Sequence, residues 1–364
     1  MKIVLICSTS NQVVTFRKSL IEKLQSEGHE VVTIAFDDEN RELIESRGIK
    51  LFCVSGANRS LNPFKILALK GKYAKILKQV QPDIVFTFML KPNIFGVRAA
   101  RKAGIKEIFS MVEGTGDVFI RNGLKWRFIR SVVCKLYRGS FKKAKKVFFL
   151  NNDDKTEFIA RKLVREEQCD IVPGIGVDLE RFEQRPVQNH RTFLMIARML
   201  ITKGVLEYCK AARIVKQKYP DATFNYLGDE GTVKLSDIRE YIDDESINYL
   251  GTTKDVRPYL EDSFVFVLPS YREGMPVSIM EAEATGRAII TSDTNGCRDT
   301  VVDGYNGFLV ACGDYQAVAE KMLWCLEHPT ECEQFGKNGR IFAEERFDQN
   351  KINDRIYDAV FFGE

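Results

Sequence analysis

No stretch of this 364-residue chain approaches the ~18–20 consecutive apolar residues that a bilayer-spanning helix needs. The start, MKIVLICS, is too short in its apolar part for a signal peptide and reads as a first strand. The nine cysteines are scattered singly, with no CxxC, which excludes a disulfide framework and a zinc site. They read as buried thiols of a reduced, cytoplasmic protein. GxGxxG is absent after every candidate strand, which disfavours a dinucleotide oxidoreductase. DxD is absent too, so a metal bridged to a diphosphate by such a pair is not supported, and no metal or cofactor is expected. Only three histidines occur, His29, His190 and His328, each isolated; they read as structural or solvated.

What is present is the material of two full cores. Hydrophobic residues make up 45% of the chain and charged residues 29%, the balance of a soluble protein. The net charge of +4 conceals an asymmetry. Residues 1–180 hold 32 Lys and Arg against 20 Asp and Glu, whereas the remainder holds 22 against 30. A basic first half points to an anionic partner: nucleic acid, a membrane surface or a phosphate-bearing acceptor.

Short apolar runs alternate with helical patterns along the chain. In the first half the strand candidates are Lys2–Ile6, Val31–Ala35, Leu51–Val54, Ile84–Phe88, Glu107–Met111, Val147–Leu150 and Asp170–Val172. Helical patterns lie between them, as at Val14–Ser26 and Ile94–Ala103. Such βα alternation predicts an α/β fold with parallel sheets covered on both faces. The polar segment Glu183–Arg191 is the candidate linker, after which a second βα series begins at Thr192. The expected organisation is two doubly wound, Rossmann-like domains, 1–184 and 191–345, with a cleft between them. A helical tail at 346–364 follows. Ligands of such sheets sit outside the carboxyl ends of the strands.

The chain is organised around FVFVLPSYREGMPVSIMEAEATG at Phe264–Gly286. A buried strand gives way to a polar loop with Gly274, and Pro276 suits the first position of the helix that follows. The free amides around Met275–Ser278, including that of Val277, make an anion cradle. Two carboxylates flank it. Glu273 in the loop suits sugar hydroxyls and Glu281 in the helix suits a ribose diol. One cradle and two hydroxyl-binding carboxylates suggest a sugar nucleotide; the plain alternative is an ordinary strand–loop–helix with a solvated and a capping Glu.

Other strand ends carry related chemistry. Arg198 and Lys203 follow the strand Thr192–Ile196, where they can clamp a diphosphate or simply be solvated. Gly228 follows a second strand, and Gly251 and Thr252 follow a third, where backbone groups can read the edge of a base or merely make turns.

These residues resemble the retaining glycosyltransferases of family 4, which have the GT-B fold. The match rests on Arg198 and Lys203 with Glu273 and Glu281 spaced as E-x7-E, and on GHEVVTI at Gly28–Ile34 and VVDGYNGFLV at Val301–Val310. It covers essentially the whole chain. The resemblance implies that Glu281 binds the donor ribose, Glu273 the transferred sugar, and the backbone from Gly274 to Val277 the phosphates. Arg198 and Lys203 stabilise the leaving diphosphate, and the last helices return to the first domain. A narrower resemblance rests on NRSLNPFK at Asn58–Lys65, LKPNIFGVRAAR at Leu90–Arg101 and VEGTGDVF at Val112–Phe119. It is to bacterial enzymes that extend undecaprenyl-diphosphate-linked sugars, such as the α-1,3-N-acetylgalactosaminyltransferases of protein N-glycosylation. The donor implied is a UDP-sugar, with a hexose or N-acetylhexosamine of GalNAc or Gal type; the acceptor is a lipid-linked saccharide.

Two departures stand out. STSNQVV at Ser8–Val14 replaces the family's Gly-rich loop, and Glu113-Gly114 stands where many members have His. Glu113 either contacts the sugar's hydroxyls or caps local backbone.

Val118–Asn152 contains ten basic residues, among them Arg121, Lys125, Arg127, Arg130 and Lys146, and no acidic one. Trp126, Phe128, Val132 and Leu136 recur at helical spacing among them. A basic amphipathic helix of this kind lies on an anionic membrane surface, here the inner face of the bacterial membrane. The alternative is a core helix with a basic outer face. Arg59, Lys65, Lys70, Lys72, Lys75 and Lys78 extend the same basic character. Competing functions are a UDP-sugar epimerase or hydrolase on the same fold, a nucleic-acid-binding module, and a sugar-nucleotide-binding protein without turnover. The second-half motifs disfavour nucleic acid, and intact Arg198, Lys203, Glu273 and Glu281 disfavour the last.

Overall fold

A computed structural model of the chain describes residues 1–55, 63–120 and 123–363. The chain forms two compact units. One comprises residues 1–175 together with the segment from Asn350 onward; the other runs from Gly176 to Gln349. Asn58–Asn62 of the NRSLNPFK motif, with Arg59, and Arg121 lie outside the described residues.

The first unit is built on seven strands: β1 (Lys2–Ile6), β2 (Glu30–Ala35), β3 (Lys50–Cys53), β4 (Ile84–Phe88), β5 (Glu107–Val112), β6 (Lys146–Phe149) and β7 (Cys169–Ile171). Their order is β3-β2-β1-β4-β5-β6-β7 and every pairing is parallel. Val4 on β1 pairs with Val32 on one side and Val85 on the other. Continuous apolar runs such as KIVLI and IVFTF fit strands covered by helices on both faces.

The second unit repeats the plan with β8 (Thr192–Ile196), β9 (Thr223–Leu227), β10 (Asn248–Tyr249), β11 (Val265–Leu268), β12 (Ala288–Ser292) and β13 (Gly307–Val310). The order is β10-β9-β8-β11-β12-β13, again all parallel. In both sheets the order reverses beside the first strand, at β1/β4 and at β8/β11. The crevice for a ligand lies at the carboxyl ends of such a pair.

Three details differ from expectation. The polar stretch Glu183–Arg191 is not the crossing point, which falls at Ile175/Gly176. It is tied into the second unit. Arg185 N–H donates to the Thr285 carbonyl at 3.1 Å, and buried Arg287 donates to the carbonyls of Arg185 and Ser263. Polarity there serves a buried guanidinium that needs acceptors. The returning segment begins near Asn350 rather than at 346, because the helix Pro329–Arg346 packs within the second unit. Against the first unit, Asp354 pairs with Lys23 at 2.9 Å. Tyr357 Oη meets His29 Nε2 at 3.2 Å, and Phe361 stacks on the His29 ring.

The third difference is that Val14–Ser26 is not one helix. Ser10–Val14 and Lys18–Ser26 are separate, and the chain bends at Thr15–Arg17. Thr15 Oγ1 takes the Asn11 carbonyl at 2.7 Å and Arg17 N–H takes that of Gln12 at 2.9 Å. The bend leaves Phe16 exposed and sends the Arg17 side chain inward, where it is 2% exposed.

Candidate functional site

The β8/β11 switch point gathers the charged residues of the second unit. Past β8 a short 3-10 turn, Ile201–Lys203, carries Lys203. Gly204 follows with φ +72°, and a Cβ there would fall 2.0 Å from the Pro269 carbonyl oxygen. Only glycine allows the β8 connection to lie this close to the end of β11. Tyr271 N–H donates to the Thr202 carbonyl at 2.9 Å and fastens the same two loops.

This approach brings Lys203 Nζ to 2.6 Å from Glu273 Oε1, with the Ser270 hydroxyl donating to that same oxygen at 2.7 Å. Glu273 is 11% exposed and Lys203 27%, so the pair is largely desolvated. The loop is held from its other side by the turn after β12. Glu273 N–H donates to the Asn295 carbonyl at 3.0 Å, and Thr294 Oγ1 donates to the Ser270 carbonyl at 3.0 Å.

The helix Val277–Ala284 then begins. Pro276 is its cap residue, not its first helical residue; its extended ψ of 108° carries the loop into the helix. No side chain caps this end, so the amides of Val277 and Ser278 remain available for an anion. Gly274 adjoins this end, and Met275 beside it is buried.

Glu281 is half-buried and makes no side-chain hydrogen bond among the described residues. Burial pushes its carboxyl up to about 7; Arg181 pulls it down and Asp255 pushes it further up. Asp255 is itself gripped by Arg257, whose hydrogen bonds hold it down at about 2. Arg198 is exposed and carries no side-chain bond among the described residues. The structure thus joins Lys203 to Glu273, while the side chains of Arg198 and Glu281 make no hydrogen bond among the described residues.

Both backbone groups of Gly228 and the carbonyl of Gly251 are engaged within the unit. Gly228 N–H donates to the Gly251 carbonyl at 2.8 Å, and the Gly228 carbonyl accepts from Tyr249 Oη at 3.1 Å. A Cβ on Gly228 would sit 1.8 Å from the Ala197 carbonyl oxygen, so its role here is close packing of β8 and β9 ends. Thr252 is exposed beside them.

The first unit has its own switch-point edge. Met89, just past β4, has φ 73°, a left-handed conformation unusual for a side chain of its size. A π-helical turn, Pro92–Gly96, follows; such turns recur at functional sites. Buried Asn93 pins it, bonding Thr87 Oγ1 at 2.7 Å and donating to the Met111 carbonyl at 2.8 Å. Glu113, one residue past β5, is neither a solvated group nor only a backbone cap. It forms an ion pair with buried Arg17.

The helix Leu124–Phe141 enters the core of the first unit at its C-terminal half through Tyr137, Ser140 and Phe141, with Val133, Cys134 and Leu136 packed against it, and is exposed at its N-terminal half. Leu124 is 82% exposed and Phe128 72%. Acids that the local sequence lacks come from elsewhere: Lys145 pairs with Glu107 at 2.6 Å and Lys146 with Asp170 at 3.9 Å. Among the described residues, no helix is long and apolar enough to cross a membrane, and no three His, Cys, Asp or Glu are grouped to hold a metal.

Sequence reasoning missed Arg17, Ser270, Asn295 and Thr294. The turn signature DTNG at Asp293–Gly296 marked the last two; nothing local marked Arg17.

Two doubly wound parallel sheets, each with its polar residues at the carboxyl ends, define the GT-B architecture. A crystal structure of Anabaena HepE in complex with UDP and glucose superposes with a TM-score of 0.81 at 19% identity, covering 99% of both chains. The model of "Glycosyl transferases group 1" matches residues 177–342 and that of "Glycosyl transferase 4-like" residues 2–151. The chain is 32% identical, over 95% of each sequence, to the N,N'-diacetylbacillosaminyl-diphospho-undecaprenol α-1,3-N-acetylgalactosaminyltransferase of Campylobacter jejuni. It is 30% identical, over 76% of this chain and 74% of the relative, to the UDP-Gal:α-D-GlcNAc-diphosphoundecaprenol α-1,3-galactosyltransferase of Escherichia coli. The chain belongs to the group 1, GT4-like glycosyltransferases and is a hexosyltransferase.

Proposed function

We propose that this enzyme transfers a hexose or N-acetylhexosamine, of GalNAc or Gal type, from a UDP-sugar to an undecaprenyl-diphosphate-linked saccharide, with retention and without a metal. The observation that carries the reading is the Lys203–Glu273 pair at the β8/β11 switch point, beside the uncapped helix end at Val277. The activities of the two relatives supply the donor and acceptor classes.

In the chemistry proposed, breaking the anomeric C–O bond leaves positive charge on the sugar and negative charge on the diphosphate. Lys203, Arg198 and the amides at Val277 and Ser278 stabilise the departing charge; removing one such contact typically costs ~2.7–4 kcal/mol of barrier. On donor binding, Lys203 turns to the phosphate and Glu273 accepts the sugar's hydroxyls. Glu281 accepts from the ribose diol, and Glu113 is assigned to a sugar hydroxyl. Thr252 lies toward the base. The acceptor hydroxyl passes its proton to a departing phosphate oxygen. The enzyme works at the inner face of the bacterial membrane. There the exposed Leu124 and Phe128 enter the interface and Lys125, Arg127 and Lys135 face anionic headgroups.

The test is nucleotide release from UDP- and GDP-sugars in metal-free buffer, with and without a short polyprenyl-diphosphate-linked monosaccharide. Release of UDP from one donor only when the acceptor is present is the expected result. Release or isomerisation without acceptor overturns the transferase chemistry proposed here.

A further inference from the structure

Arg17 reaches Glu113 across the edge of the first sheet. It sits where the first βα connection bends and its side chain passes beneath the end of β4. The guanidinium lies 4.2 Å from the centre of the Phe88 ring, and Nη1 is 3.9 Å from Met111 Sδ. Arg17 is 2% exposed and Glu113 10%. Burial depresses the guanidinium to about 10, and the neighbouring Cys7 thiol is pushed up to about 12 and stays neutral. Glu113 is therefore the carboxylate that compensates this buried cation.

Burying a guanidinium against an aromatic ring and a thioether is unfavourable unless the charge is compensated. An apolar side chain would fill the same space under β4 at less cost, so packing alone does not account for an arginine here. The compensated group stands directly past the carboxyl end of β5. Beside it are the left-handed Met89 and the π-helical turn, and this is the edge where such sheets bind ligands. A carboxylate held by a planar guanidinium is fixed in direction and kept ionised, which suits acceptance of hydroxyl hydrogens and not removal of a proton.

We propose that Arg17 is the positioning residue for Glu113: it fixes the carboxylate, ionised, for contact with a substrate hydroxyl. This rests on the assignment of Glu113 in the function proposed above. It assigns Arg17 no contact with substrate.

The experiment measures transfer kcat, KM for the lipid-linked acceptor, UDP affinity by calorimetry and thermal midpoint. The variants are Arg17→Met, Arg17→Gln, Arg17→Lys, Glu113→Ala and the double variant Arg17→Met/Glu113→Ala. Expected are a tenfold or greater fall in kcat for Arg17→Met, with UDP affinity within twofold of the parent. Arg17→Lys recovers at least a third of kcat, and the double variant is no slower than Glu113→Ala alone. Should Arg17→Met fail to fold, Arg17→Gln carries the same expectation. A parental kcat in the neutral Arg17 variants, or losses that multiply in the double variant, overturns the positioning role while leaving the assignment of Glu113 intact. A parental rate for Glu113→Ala removes that assignment and this proposal together.

Discussion

Replacing Glu281 by Gln sets two consequences of one carboxyl against each other. Burial holds Glu281 up at about 7 from an ordinary 4.5. In the unfolded chain the same carboxyl ionises near 4.5, so between pH 4.5 and about 7 the folded state binds a proton that the unfolded state has lost. A raised folded value means that stability falls as pH rises through this window and stays low above it. At ~1.36 kcal/mol per pH unit, the loss is at most about 3 kcal/mol. Glu281→Gln cannot ionise and escapes that loss. Its stability relative to the parent therefore increases from pH 4.5 to pH 8 by up to about 3 kcal/mol.

Urea titrations at several pH values measure this. Trp324 fluorescence reports the second unit, in a background with Trp126, which lies in the first unit, replaced by Phe. The same variant binds UDP more weakly, since a hydrogen bond to a charged acceptor contributes ~1.5–3 kcal/mol. Binding of UDP near pH 6.5 releases a proton from the parent, readable as buffer-dependent calorimetric heat, and from the variant it does not. Parallel pH–stability curves for parent and variant, with equal UDP affinity, would refute both the burial argument and the ribose assignment.

Lys203→Met should lower kcat by about 10²–10³, measured by nucleotide release in single-turnover and steady-state assays. A loss confined to KM would show that Lys203 binds the donor without favouring the transition state. Leu124→Ser with Phe128→Ser should weaken flotation with anionic vesicles while leaving thermal stability unchanged, because both side chains project into solvent. Lys145 and Lys146 should matter less in that assay than Lys125 and Arg127, since Glu107 and Asp170 already face them. Gly204→Ala should abolish donor binding, with UDP calorimetry as the readout, since both its φ of +72° and the Pro269 carbonyl oppose a methyl group.

Much of this was readable from residue types. Strands buried on both faces announce themselves as unbroken apolar runs, so β1, β4 and β8 matched their expected bounds. The E-x7-E loop and helix were legible because a strand end, a glycine, a proline and two carboxylates follow one another locally. Pairings between distant segments were not. Lys203 and Glu273 are 70 residues apart and Arg17 and Glu113 are 96 apart, and no local pattern states which charges meet. The helix break at Thr15–Arg17 was hidden because its cause is a shift in backbone bonding and the residues themselves are ordinary. The packing of Gly228 was hidden for a related reason. A glycine after a strand looks the same whether its amide faces a ligand or, as with Gly228, another loop.

The segment from Asn350 completes a unit whose other residues end at Ile175, so the second unit is in effect an insertion into the first. On the ribosome this orders events. Gly176–Gln349 emerges with all of its own strands and can close its core, whereas the Lys23 and His29 surface waits for Asp354, Tyr357 and Phe361, which are made after it. Until then the earlier-made half carries an unfinished apolar edge through most of synthesis, a period in which such edges recruit chaperones or aggregate. A premature stop near codon 350 would leave the sheet with its charged switch-point loops complete, and would damage the half that was translated first.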